Sequence, residues 1–247
     1  MSARVLLNTR PQLEGAEAGM GAALDMAALP GGPYGEVLDC PLNGIRPAAE
    51  DELVDAAAWI NRAHVLVLVS PNATQVYAEL AAAGRIARAP EHIAVMGPSS
   101  SARLGGVPRA SRVLVSASHD ALGLLPALLE LTRHGELVVI GRAQAGKEAL
   151  PDALREHGRS VRCVTLYHRE PMPWPDPVHG QVEAALFTRQ AAVLLTTASA
   201  PAEFVQRLSA PARAALPAAV ALCTHPNVER AAAAAGFADV RAAVSSL

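Results

Sequence analysis

The chain has 247 residues, 51% of them hydrophobic and 18% charged, with a formal net charge of −2. That length holds one large or two modest domains, and the near-neutral charge argues against nucleic acid or a polybasic membrane surface as the main partner. Aromatic residues, at 3%, are too scarce for the stacked-ring sites that bind single-stranded nucleic acid.

The first apolar run, Arg4–Asn8, is broken at once by Thr9 and Arg10. It reads as a strand rather than the long apolar core of a signal peptide. No apolar stretch approaches the roughly 20 residues a membrane span needs, so a cytoplasmic protein without membrane contact is expected. "LPGGPYGE" precedes the second strand, Glu36–Pro41, and is a turn rather than a dinucleotide fingerprint, which follows a strand. Glu50, Asp51 and Glu52 open the helix "DELVDAAAWINRA", where negative charge is favourable. Strands follow at His64–Ser70, His92–Gly97 and Arg112–Ala117. The helix "DALGLLPALLELTRHG" then stops at Arg133, His134 and Gly135. Further strands span Glu136–Gly141 and Ser160–Tyr167, after which "PMPWPDP" is too proline-rich for a helix or central strand. The last three strands are Ala191–Thr197, Ala218–Thr224 and Asp239–Ser245. Apolar strands without alternation, separated by helical stretches, indicate an α/β protein whose parallel sheets are covered on both faces.

The chain also repeats itself. "LVLVSPNATQVY" from Leu66 matches "VLLTTASAPAEF" from Val193 at a shift of 127, which sets Ser70 opposite Thr197 and Tyr77 opposite Phe204. The same shift pairs "IAVMGPSSSAR" from Ile93 with "VALCTHPNVER" from Val220, and "RVLVSAS" from Arg112 with "DVRAAVS" from Asp239. Separately, "VLLNTR" from Val5 resembles "LVVIGR" from Leu137, pairing Arg10 with Arg142. Two sets of five strands imply two domains. The repeat places them as a discontinuous domain, 1–38 with 169–247, and an inserted domain, 44–164. Two extended crossings, 39–43 and 165–171, run between them as a hinge.

Cys40, Cys163 and Cys223 lie far apart in strand-like runs, without zinc-like spacing, and are expected to be buried and reduced. "GRAQAGK" lacks the spacing and the hydroxyl of a P-loop, and no nucleophile-elbow sequence occurs. No metal-ligand cluster stands out in the sequence, and no metal is expected.

Several motifs in fixed order resemble those of the uroporphyrinogen-III synthases. They are Thr9-Arg10-Pro11 after the first strand, Ser70–Ala73, and Val95, Gly97, Pro98 and Ser100. Next come Gly158, Val161, Tyr167 and Arg169, then the hydroxyl-tipped strand end at Thr196–Ser199. His225, Pro226, Ala232, Gly236 and Phe237 complete the series. There are departures: Thr197 stands for a more usual serine, Ser100 for a threonine and Lys147 for an arginine. The chain also ends at Leu247, where the family usually adds a helix. The resemblance implies two flavodoxin-like domains with parallel five-stranded sheets, joined by a two-stranded β-ladder. It further implies a cofactor-independent, monomeric lyase that closes hydroxymethylbilane to uroporphyrinogen III with inversion of the last pyrrole, a step in tetrapyrrole and haem biosynthesis.

Hydroxymethylbilane carries acetate and propionate groups on every ring, and ligand sites of open α/β sheets lie beyond the carboxyl ends of the strands. Unpaired N–H groups of the following helices favour carboxylates there. Ser70, Asn72, Ser99, Ser100, Thr197, Ser199 and Asn227 sit at such tips, where they can line a cleft between the domains or simply cap helices. Arg10 and Arg142 are carboxylate ligands or surface ion-pair partners. Tyr167, on the second crossing, either donates a proton to the departing hydroxyl or packs the hinge. Two rival readings are a two-lobed ligand-binding protein without catalysis and a nucleotide-sugar glycosyltransferase; both share the paired α/β lobes.

Overall fold

The computed structural model describes residues 4–13, 29–30, 32–104, 111–116, 121–188 and 190–243. In chain order, β1 (Arg4–Asn8), the two-residue β2 (Gln12–Leu13), β3 (Tyr34–Asp39) and β4 (Asn43–Pro47) come first. Then follow α1 (Glu50–Ile60), β5 (Val65–Leu68), α2 (Pro71–Ala82), β6 (His92–Val95), α3 (Pro98–Ala102) and β7 (Arg112–Val115). Next are α4 (Leu125–Leu131), β8 (Leu137–Ala143), α5 (Ala149–Glu156) and the long β9 (Ser160–Pro171). The last third holds α6 (Asp176–Phe187), β10 (Ala191–Leu195), α7 (Ala200–Gln206), α8 (Ala210–Ala215), β11 (Val220–Cys223), α9 (Pro226–Ala234) and β12 (Asp239–Ala242). These elements form two compact units, Met1–Gly44 with Glu170–Leu247, and Ile45–Arg169.

In the discontinuous unit the sheet runs β12-β11-β10-β1-β3, every pair parallel. Numbered by their place in the unit, these strands follow the 2-1-3-4-5 order of flavodoxin-like folds. Alternate residues serve opposite faces. Leu7, Val193, Leu195 and Ala221 pack against Val182, Leu186, Phe204 and Val228 of α6, α7 and α9. Leu6, Ala192, Leu194 and Leu222 pack on the other side with Leu29 and Tyr34. Both faces being buried, the strands carry no hydrophobic alternation. Arg207, just past α7, donates to the carbonyls of Leu42 (2.6 Å) and Met172, and lies over the Trp174 ring at 5.1 Å. Trp174 in turn donates to the Pro41 carbonyl at 3.0 Å. Residues 172–175 thus become ordered outside helix and sheet, between the end of β9 at Pro171 and the start of α6 at Asp176.

The sheet of the inserted unit runs β4-β9-β8-β5-β6-β7. Its five parallel strands, β9 to β7, keep the same 2-1-3-4-5 order, but the chain enters at the third strand. The expected five strands are therefore present, and β4 extends the edge. β4 runs against β9: Ala48 N–H donates to the Leu166 carbonyl (3.1 Å) and Met172 N–H to that of Leu42 (3.0 Å), so the numbering rises on one strand as it falls on the other. Leu66, Leu68, Val139 and Ile93 face α1 and α2, whereas Val65, Val67, Val138 and Ile140 face α4 and α5. Gly141 lies between Leu68 and Leu166, and a Cβ there would come within 2.6 Å of the Leu166 side chain. The absent side chain lets those two leucines close over β8.

The internal repeat is visible in the register. Leu6 pairs with Ala192 in one sheet and Val138 with Val65 in the other, as the two sequence shifts require. One ungapped match needs correction. Val220 occupies the place of His92, not of Ile93, because the β10–β11 connection is one residue longer than β5–β6 and the next connection one shorter. This offset aligns Pro98 with Pro226, each the first residue of its helix.

Several expected boundaries also shift. Strands end one or two residues early at Leu68, Val95, Leu195 and Cys223, because the polar residues beyond them belong to turns and caps. The helix expected over residues 120–135 is a 3₁₀ turn, Leu122–Leu124, followed by α4, which ends at Leu131. Pro126 has no N–H to return to the Leu122 carbonyl, so the α-helical ladder cannot begin earlier. Its position near the start of α4 is the one a helix tolerates. The ends of the expected strands at Ala117 and Ser245, and the chain end at Leu247, lie outside the described residues. Cys40 and Cys223 are buried thiols; Cys163 is only partly buried, since strand β9 lies towards the edge of its sheet.

Tyr77 on α2 is fully buried, and its hydroxyl finds no hydrogen-bond partner among the described residues. Burial pushes its phenol up to about 12. A buried hydroxyl without a partner costs stability, so Tyr77→Phe should raise the unfolding free energy by about 1 kcal/mol. Urea titration checks this; a variant less stable by that amount would reveal a bonded hydroxyl.

Candidate functional site

Every polar residue singled out at a strand tip lies in the turn beyond the carboxyl end of a parallel strand or near the start of the helix that follows. In the inserted unit, β5 ends at Leu68 and Ser70 caps α2. The backbone of Ser70 is extended, and its Oγ accepts the Ala73 N–H at 3.1 Å. Pro71 follows as the first helical residue, where its missing N–H costs nothing. Asn72 is half-buried on the first turn. Ser100, on α3, is buried; Ser99 shares that helix, but its side chain lies outside the described residues.

Tyr167 sits at the matching end of β9, opposite Ala143 of β8. Its hydroxyl lies 3.0 Å from Ser70 Oγ, joining two elements 97 residues apart. Strict alternation would put Tyr167 on the sheet face opposite Val164 and Leu166. It packs with them instead, because the β8–β9 register slips between Arg142 and Ala143. A bulge adds one residue to a strand and re-aims the side chains beyond it; here it turns the Tyr167 ring towards Ser70. Next to it, His168 Nε2 lies 2.7 Å from Glu52 Oε2, and Glu52 also accepts the Ala49 N–H at 2.9 Å. The His168 hydrogen bond, helped by that of Ala49, holds the Glu52 carboxyl below its usual range.

Arg142, at the end of β8, is engaged locally. It reaches Glu148 at 2.6 Å and the Lys147 carbonyl at 3.3 Å.

In the discontinuous unit, Arg10 follows β1. Its Nε donates to Asn8 Oδ1 at 3.3 Å, and Asn8 Nδ2 donates to Asp39 Oδ1 at 2.7 Å. Burial pulls the Arg10 guanidinium below its usual range, with Asp39 opposing. Thr9 between them is buried and donates to the Leu194 carbonyl at 2.5 Å, tying the β1 tip to β10. Thr197 Oγ1 and exposed Ser199 Oγ lie 3.4 Å apart beyond β10, and Ser199 makes no side-chain cap bond to α7. Beyond β11 the cap of α9 is His225, whose Nδ1 accepts the Asn227 N–H at 3.1 Å. The exposed Asn227 side chain accepts from Arg230.

Ser70 and Tyr167 are thus brought into direct contact, and Thr197 is set beside Ser199. Sequence reasoning missed the Asn8–Asp39 and Glu52–His168 partnerships. Polar residues ending two strands that pair in parallel are the signal for the first. The Tyr167–Ser70 pair can supply a proton from a phenol, whereas Arg10 offers a cation beside a carboxylate. Among the described residues no group of three or more His, Cys, Asp or Glu could hold a metal ion. No helix among them is long and apolar enough to cross a membrane.

Comparison with known proteins points one way. Residues 32–246 match the family model described as uroporphyrinogen-III synthase HemD. The fold is similar to that of a mutant uroporphyrinogen III synthase from Thermus thermophilus, with a TM-score of 0.64 and 16% identity, covering 99% of this chain and 94% of that one. It is also similar to uroporphyrinogen-III synthetase from Helicobacter pylori, with a TM-score of 0.56 and 13% identity over 96% and 92% of the two chains. No curated protein sequence matches the chain.

Proposed function

The chain belongs to the uroporphyrinogen-III synthase family, and from that premise we propose how its residues close hydroxymethylbilane to uroporphyrinogen III. The family match over residues 32–246 carries this reading. Arg10 and Arg142, with the hydroxyls and amides of Asn72, Ser99, Ser100, Thr197, Ser199 and Asn227, receive the substrate's carboxylates at the strand tips. Unpaired helix N–H groups assist them. Tyr167 protonates the hydroxyl that leaves. The resulting azafulvene is attacked by the substituted carbon of ring D, and the spiro intermediate opens and recloses with that ring inverted. Holding one conformation of a flexible chain is a large part of such catalysis, which suits a protein working as a monomer in the cytoplasm without a cofactor or nucleic acid.

Incubation with freshly made hydroxymethylbilane, oxidation and separation of isomers tests the activity. Uroporphyrin III above the spontaneous type I background is expected. Type I alone would overturn the reading.

A further inference from the structure

The two oxygens of the Tyr167–Ser70 pair lie 3.0 Å apart, and either could be the donor. Counting donors and acceptors decides between them once Tyr167 has a task. Ser70 Oγ carries one O–H and two lone pairs. One lone pair is taken by the Ala73 N–H, in the cap of the 12-residue α2. The Ser70 carbonyl is held as well, accepting from the Thr74 N–H and hydroxyl, each at 3.1 Å. The serine is therefore fixed by its helix. Tyr167 is fixed by its core: the residue is 7% exposed and packs in one cluster with Leu68, Ala73 and Leu166. If the phenol gave its proton to Ser70, it would have none to offer a leaving group.

We infer that Ser70 is a positioning residue that donates its hydroxyl proton to the Tyr167 oxygen, freeing the phenol's own proton for the departing hydroxyl. This rests on the assignment of Tyr167 as the acid. In the step, the bilane C–O bond breaks with both electrons on oxygen, and the phenol proton completes a water molecule. The negative charge left on the Tyr167 oxygen is met by the Ser70 O–H. Behind it stand the Ala73 N–H and the positive end of α2. The proton released when the closed macrocycle regains its pyrrole rings restores the phenol. Ser70 then acts through Tyr167 rather than on a substrate carboxylate, and its cap bond to α2 is part of the device.

Three variants separate this role from capping and from substrate binding. S70A loses both cap and donor, S70T keeps both, and S70D keeps the cap but can only accept the phenol's proton. Expected are a fall in kcat of about tenfold for S70A and at least about a hundredfold for S70D. KM should stay within about twofold, the melting temperature of S70D should match wild type, and S70T should restore most of the rate. In a Y167F background, S70A should change kcat less than about twofold, since residues acting as a unit are not additive. A rise in KM alone would make Ser70 a substrate ligand, and S70D at the wild-type rate would make it only a cap. An S70A loss undiminished in Y167F would separate Ser70 from Tyr167. Each of these overturns the inference while leaving Tyr167 in place. Y167F at the wild-type rate would instead remove the reading of Tyr167 itself.

Discussion

Tyr167→Phe should lower kcat by about a hundredfold, the low end for loss of a general acid, while the protein stays folded. The substitution removes one oxygen and leaves a ring of the same size in the cluster with Leu166, Leu68 and Ala73. The structural loss is the 3.0 Å hydrogen bond to Ser70, about 1 kcal/mol, or a few degrees of melting temperature. Ser70 keeps its bond to Ala73, so α2 remains capped. Spontaneous closure should then compete better, and the share of type I isomer should grow. Steady-state kinetics with isomer separation reads both effects. A variant that keeps its rate but melts several degrees lower would make the hydroxyl a packing device, with water protonating the leaving group.

The second large effect is on stability. Arg159→Ala should destabilise the inserted unit by about 3 kcal/mol, since hydrogen bonds from a charged donor are worth more than neutral ones. The last carbonyls of a helix have no partner within it. Beyond the end of α4, Arg159 supplies one, donating to the Leu129 carbonyl at 2.9 Å and the Thr132 carbonyl at 2.7 Å. It also reaches Thr132 Oγ1 at 3.2 Å and the His157 carbonyl at 2.5 Å. A cation at this end complements the helix dipole. The same corner holds Gly158, at φ +76°, where a Cβ would collide with the His134 ring. The turn thus requires glycine both for its left-handed backbone and for the close approach. Thermal melts should show Arg159→Ala lower by about 6–12 °C. Arg159→Lys should fall between, because an ammonium cannot span the same fan of acceptors. Wild-type melting of the alanine variant would show that water serves these carbonyls equally well.

Much of the architecture was legible in sequence because burial on both faces leaves an unmistakable pattern. Runs such as Val65–Leu68 and Ala191–Leu195 are apolar at every position, and each serves two cores. Helix starts were readable at Ser70-Pro71, where cap chemistry is local. Strand ends were read too long, since a residue such as Ser70 looks like the end of a strand until its side chain is seen turning to Ala73. The meeting of Tyr167 with Ser70 was hidden, because it depends on a one-residue slip between β8 and β9 that no pattern of hydrophobicity records. Arg159 and Arg207 were missed for another reason. Their partners are main-chain carbonyls, which every residue possesses and no motif announces.

The interruption of one unit by the other bears on how the polypeptide is made. β1 and β3 leave the ribosome early, yet β10, the strand that pairs with β1, is encoded far downstream, beyond the whole of Ile45–Arg169. Joining them across an unfolded insert would carry a loop-closure cost of roughly 4 kcal/mol. The insert can avoid that cost by folding first, since its five parallel strands lie within a continuous stretch of chain. Once folded, its two ends lie on the neighbouring strands β4 and β9, and the long detour becomes a short bridge. Nascent-chain protease protection should therefore arise in residues 45–169 before the amino-terminal strands find their partners.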